Sequence, residues 1–227
     1  MPFPFEPPNP PSLPIARSEL RFPVRRVFCI GRNYADHAKE MGATVDRSQP
    51  VFFCKPADAV LSDGDVPYPS VTGSLHHEVE MVVALDSGGR DLTVDAADAL
   101  VFGYGVGLDL TRRDLQAAAK AGGLPWDSAK AFDHSAPVSA LRRRADAEPA
   151  PDTQLELHVN DELRQRTRLD AMIWRVPEIL AELSRLFELK AGDLVFTGTP
   201  AGVAELQRGD RFHAQLAGIA DLRGRII

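Results

Sequence analysis

From Val24 onward the chain is a succession of short apolar runs, VRRVFCIG, PVFFCKP, EVEMVVAL, VFGYGVGLDL, LELHVN, DLVFTG and DRFHAQL, separated by Gly, Pro, Asn and Asp. Runs this short, rich in Val, Phe and Leu and closed by turn residues, read as strands. Helical patterns are confined to Asn33–Met41, Thr111–Ala121 and Val176–Leu186, where Thr111 with Asp114 resembles a capping box. Many strands with few helices predict an α+β fold.

A chain of 227 residues buries a sizeable core in a single domain. Residues 1–23, with MPFPFEPPNPPSLPI, are too Pro-rich for helix or central strand. They read as an extended arm lying on the body or on a partner subunit, or equally as a loose tail, before a single domain over 24–227. The segment Arg142–Thr153, charged and then Ala/Pro-rich, reads as a surface loop. A formal net charge of -6 gives no general attraction to phosphate backbones, so a nucleic-acid partner is not expected. No apolar run approaches membrane-span length and the N-terminus lacks the basic-then-apolar pattern of a signal peptide, so the expectation is a cytoplasmic protein without a membrane partner. Cys29 and Cys54, the two cysteines, sit in apolar strand-like runs and are expected as free, buried thiols.

Chemistry begins at HHEVEMVVAL. Along a strand alternate side chains share a face, so Glu78 and Glu80 project together, roughly 6.5–7 Å apart at Cα. Flanked by apolar residues, the pair would repel unless a cation lay between them. A solvent-facing edge with two acids is the plainer alternative for a bare E-x-E. Asp109 ends another apolar run just before TRRDLQ, as a metal ligand or a simple helix cap would. Three carboxylates without a Cys or clear His ligand favour a hard cation, Mg²⁺ or Mn²⁺. In GRNYADHAKEMG, His37 and Glu40 are spaced i,i+3 on one helix face, where the carboxylate can orient the imidazole, though an ordinary surface contact has the same spacing. Gly31 and Gly42 bracket that segment as a lid's hinges would. Lys is scarce, five against 21 Arg, which singles out Lys55 in FFCKP and Lys130 in PWDSAKAFD as anion-binding ammonium groups or as snorkelling side chains. DLVFTGTPAGV offers Thr197, Gly198 and Thr199 in a strand-to-turn segment that could hold a carboxylate or simply turn the chain.

Taken in order, GRNYADHAKEMG, FFCKP, LHHEVEMVV, GYGVGLDLTRRDLQ, GLPWDSAKAFD, VNDELRQ and FTGTPAGV resemble the fumarylacetoacetate hydrolase family, in particular its short acylpyruvate and fumarylpyruvate hydrolase branch, over residues 24–215. The resemblance implies a mixed β-sheet roll of that family's C-terminal-domain type, a homodimer, and Mg²⁺ or Mn²⁺ on Glu78, Glu80 and Asp109. It implies a His37–Glu40 dyad on a lid and a catalytic Lys130. Substrate contacts fall on Arg113, Gln116 and Thr199, with Arg32, Asn33 and Lys55 expected beside them. Asp161 stands where many relatives carry Gly, in a turn that Asn-Asp also supports. The activity implied is hydrolysis of a C–C bond in an acylpyruvate, fumarylpyruvate first, as in gentisate-type aromatic breakdown. Oxaloacetate decarboxylation and double-bond or keto–enol isomerisation share the same enolate logic. Both dyad members are present, which favours hydrolysis, since water activation needs a base. A reading from another class is a non-catalytic β-rich protein with a structural metal.

Overall fold

In the computed structural model, which describes residues 3–40, 47–62 and 64–227, the strand-like runs pair into a six-stranded mixed sheet. Its order is β11 (Arg142–Arg143), β8 (Val101–Leu108), β7 (Val79–Leu85), β14 (Asp193–Phe196), β3 (Arg26–Gly31) and β4 (Val51–Lys55). Only β14 and β3 run parallel; buried Asp193 staples their starts by accepting from Arg25 at 3.0 Å and Arg26 at 2.8 Å. Every side chain of β7 is buried, because this central strand carries apolar layers on both faces. Period two sends Val79, Met81, Val83 and Leu85 into one core and Val82 and Ala84 into another.

An antiparallel sheet of β13 (Glu162–Arg168), β12 (Gln154–Val159), β15 (Arg211–Leu216) and β16 (Ala220–Arg225) closes the first core. Leu155, Leu157, Phe212, Ala214 and Leu216 face inward there, while Arg and His alternate outward. Helices α2 (Val94–Asp98) and α5 (Val176–Leu186) pack against the same core through Ala97, Ile179, Leu180 and Leu183. Asn160 and Asp161, at φ 52° and 67°, make the tight β12–β13 turn that Asn-Asp supports. On the other face, β1 (Ser12–Pro14) pairs with β2 (Arg21–Pro23) and buries Leu13, Ile15 and Phe22 in the second core. The second half of the Pro-rich arm thus lies on the body, and each such side chain contributes about 1.5–3 kcal/mol by burial. Gly107 of β8 is required here: a Cβ would lie 2.9 Å from both the Phe196 ring and the Pro137 carbonyl oxygen.

Two short pairs fasten the loops, parallel β5 (Val60–Leu61) with β10 (Ala136–Pro137) and antiparallel β6 (Leu75–His76) with β9 (Thr111–Arg112). The remaining helices are α1 (Ala35–Glu40), α3 (Arg113–Gly122) and α4 (Asp127–Lys130). The α+β expectation is met, with corrections. Met41 and the hinge Gly42 lie outside the described residues. Thr111 does not cap α3: it pairs in β9 and its hydroxyl donates to the Asp109 carbonyl at 3.1 Å. Asp114 instead accepts from Thr72 Oγ1 at 2.6 Å and Gly73 N at 3.0 Å, tying the helix start to a loop. Arg142–Arg143 form an edge strand, leaving the surface loop to begin after them. Cys54 is exposed: it sits opposite Phe28 on the edge strand β4, at the margin of the face that Phe28 buries; of the two cysteines only Cys29 is a buried thiol.

Candidate active site and metal centre

Antiparallel pairing of β7 with β8 sets Glu80 opposite Gly107, and the ladder continues as Asp109 N donates to the Glu78 carbonyl at 2.8 Å. Acids some thirty positions apart in sequence therefore meet at one end of the sheet. Oxygens of Glu78, Glu80 and Asp109 lie within 4.8 Å of one another, and all three residues are buried. An oxygen-only, three-carboxylate set matches a hard divalent ion. Two details support that match. Asp109 Oδ1 is buried without a hydrogen-bond partner, its 2.8 Å ion-pair contact with Lys55 Nζ lacking hydrogen-bond geometry. Glu80 accepts from Gly198 N at 2.6 Å but forms no ion pair among the described residues, and burial, Asp109 and Glu78 push its pKa well up.

Three cations surround the acids. Lys130, delivered by α4, donates to Glu78 Oε2 at 2.8 Å and Asp109 Oδ2 at 2.6 Å. Burial opposes its charge, but Asp109 and Glu78 outweigh that and hold the ammonium above the ordinary lysine range. Arg113 pairs with Glu78 and donates to Gln116 Oε1 at 2.6 Å. Burial would raise the Glu78 pKa, yet Lys130 and Arg113 draw it below the usual carboxylate range. Lys55 lies beneath, donating to the carbonyls of Leu110, Ser135 and Lys130. It therefore fastens the segments carrying Asp109 and Lys130, and it is not among the residues lining the cavity.

The cavity, ≈ 40 Å³, is lined among others by His37, the three acids, Arg113 and Lys130. Arg32, Gln116 and Thr199 line it as well. His37 is buried on α1, with Nδ1 3.3 Å from Glu40 Oε2; burial lowers its pKa, partly offset by Glu78 and Glu40. Glu40 also accepts from Gly202 N at 3.1 Å, so the helix carrying the dyad is latched to the turn after Thr199. Asn33, expected on the substrate, makes its hydrogen bonds within the protein. Its Nδ2 donates to the Trp174 and Thr197 carbonyls at 3.0 and 2.8 Å and its Oδ1 accepts from Trp174 N at 2.7 Å, leaving it wholly buried outside the cavity lining. It splints the root of α1 to the end of β14.

Sequence reasoning missed several contributors. Gln165 accepts from Val79 N at 3.0 Å and faces His77 Nδ1 at 2.9 Å, and its Nε2 donates to Thr199 Oγ1 at 2.9 Å, fixing the Glu78 backbone and the threonine together. Desolvation holds His77 neutral, its pKa lowered to about 4, which suits a ring whose Nδ1–H donates to Gln165. Phe53, Trp126 and Lys120 also line the cavity. The scarcity of Lys that singles out Lys55 and Lys130 applies equally to Lys120, whereas nothing local marks Gln165 within a polar strand.

Comparison with known proteins gives a consistent result. Residues 26–227 match the fumarylacetoacetate (FAA) hydrolase C-terminal domain. A fumarylpyruvate hydrolase from Pseudomonas aeruginosa, solved in complex with Mn²⁺ and pyruvate, superposes with a TM-score of 0.96 at 47% identity, covering 99% of each chain. An oxaloacetate tautomerase of Escherichia coli is 46% identical over 84% of this chain and 88% of that protein, and the mitochondrial oxaloacetate tautomerase of Mus musculus is 41% identical over 89% and 91%. The acidic cluster, the sheet architecture and these matches together place the chain in the fumarylacetoacetate hydrolase family.

Proposed function

We propose that the protein is a divalent-metal acylpyruvate hydrolase that splits fumarylpyruvate into fumarate and pyruvate. The observation carrying this reading is His37, buried in the cavity of the acidic cluster with Glu40 at its Nδ1. A neutral imidazole whose Nδ1–H is held by a carboxylate presents Nε2 as a general base. His37 takes a proton from water, hydroxide adds to the distal carbonyl of the 1,3-dicarbonyl unit, and the C–C bond to the pyruvyl carbon breaks. Pyruvate leaves as its enolate and is then protonated. Glu78, Glu80 and Asp109 would hold a Mg²⁺ or Mn²⁺ ion, which would supply Lewis-acid charge for the 2-oxo acid when bound. Lys130 keeps its proton beside those carboxylates and supplies positive charge for the enolate. Arg113, Gln116 and Thr199 line the cavity as donors for the substrate's carboxylate.

A second reading, oxaloacetate tautomerase, is favoured by the names of the curated relatives. It uses the same enolate stabilisation but consumes no water. Both are tested by incubating the protein with fumarylpyruvate, acetylpyruvate and oxaloacetate, with and without Mg²⁺, while following enol absorbance and pyruvate. Metal-dependent pyruvate release from an acylpyruvate, lost in His37→Ala, supports the hydrolase. Enol–keto interconversion of oxaloacetate without acylpyruvate cleavage supports the tautomerase and rejects our first reading.

A further inference from the structure

Of the four Lys and Arg residues lining the cavity, Arg113 and Lys130 are engaged with the acids and two are not. Arg32 and Lys120 line the same cavity, and neither has a carboxylate partner among the described residues. Arg32 follows Gly31 at the end of β3 and is held at φ 60°, a left-handed conformation that a non-glycine residue adopts at a cost. The next residue, Asn33, is anchored to Thr197 and Trp174, and strain sustained by surrounding structure concentrates at ligand sites. Lys120, in the last turn of α3, holds its ammonium 5.3 Å from the centre of the Trp126 ring. Trp126 in turn lies 6.0 Å, centre to centre, from Phe53, and both rings line the cavity. Burial, followed by Arg113 and Arg32, lowers the Lys120 pKa, so these positive groups press on one another. Like charges gathered at the margin of a cleft, with no ion-paired acid of their own among the described residues, are an anion site.

We propose that Arg32 and Lys120 form a second anion clamp, separate from the metal acids, which takes the far carboxylate of a dicarboxylic 2-oxo acid while Phe53 and Trp126 flank its carbon chain. The clamp rests on the reading of the site as one for 2-oxo acids. It makes Lys120 a specificity residue: acyl chains ending in a carboxylate are selected over those ending in a methyl group. Flat aromatic walls favour a planar, unsaturated chain.

The test uses two ligands that lack the second carbonyl and so are not cleaved. 2-Oxopimelate and 2-oxoheptanoate share a seven-carbon chain and differ in one terminal group, carboxylate against methyl. Binding of each to the Mg²⁺-loaded protein is measured by calorimetry. A charge-assisted contact predicts about a 10- to 100-fold preference for 2-oxopimelate. Lys120→Met should remove most of that preference by weakening 2-oxopimelate alone, and Lys120→Arg should restore it. Lys39→Met, on the exposed side of α1, controls for general charge loss. Equal binding of the two ligands by the wild type, or a preference that survives Lys120→Met, overturns the clamp. Preference without any acylpyruvate turnover sinks the hydrolase reading and leaves the clamp standing.

Discussion

Asn33→Ala gives the sharpest test of how this site is held. The side chain makes three hydrogen bonds, two donated to the Trp174 and Thr197 carbonyls and one accepted from Trp174 N, and is fully buried. At about 1 kcal/mol net per bond the deletion costs about 3 kcal/mol, and more if the freed Thr197 carbonyl finds no water. For a domain of this size that loss lowers Tm by about 6–12 °C. Asn33→Asp keeps the acceptor for Trp174 N but sets an oxygen against two carbonyls, so it should be at least as damaging. Urea unfolding with EDTA present, followed by tryptophan fluorescence at fixed protein concentration, separates this from ligand effects. A loss below about 1 kcal/mol for Asn33→Ala would refute the splint and return the residue to substrate binding.

His37→Ala should lower kcat by about 10²- to 10⁴-fold while Mg²⁺ affinity, measured calorimetrically, is unchanged. The acid limb of the kcat/KM profile should lie below pH 6.5: burial lowers the His37 pKa, its neutral form is the base, and activity falls as pH drops through that lowered value. A limb centred above pH 7 speaks against His37. Chelation should abolish turnover reversibly, with Mg²⁺ or Mn²⁺ restoring it, yet leave the circular dichroism spectrum intact, since Lys130 and Lys55 already contact the acids; unfolding on chelation would indicate a structural ion. Glu80→Gln should raise the Tm of the metal-free protein, because a neutral amide avoids the cost of protonating a carboxyl whose pKa burial, Asp109 and Glu78 push up, and weaken Mg²⁺ binding; a lower Tm would contradict this.

What the sequence determined by itself is whatever local periodicity encodes. Period two in EVEMVVAL puts Glu78 and Glu80 on a common side, and the i,i+3 spacing brings His37 Nδ1 to 3.3 Å from Glu40. The order of motifs identified the family and, through it, the three acids that converge. Tertiary structure alone decided the rest, because those outcomes depend on pairings between distant segments. That Cys54 is exposed follows from β4 lying at the sheet's edge among the described residues, and that Thr111 pairs instead of capping follows from β6 reaching it. Asn33 and Lys55 look like ligand donors in sequence, yet carbonyls contributed from as far away as Thr197 and Ser135 claim their hydrogen bonds. Gln165 is inconspicuous in its strand and becomes a hub only where β13 passes Val79 and Thr199. Which cations neutralise the acids, and which remain for a ligand, is a balance of charges fixed only when the chain has folded.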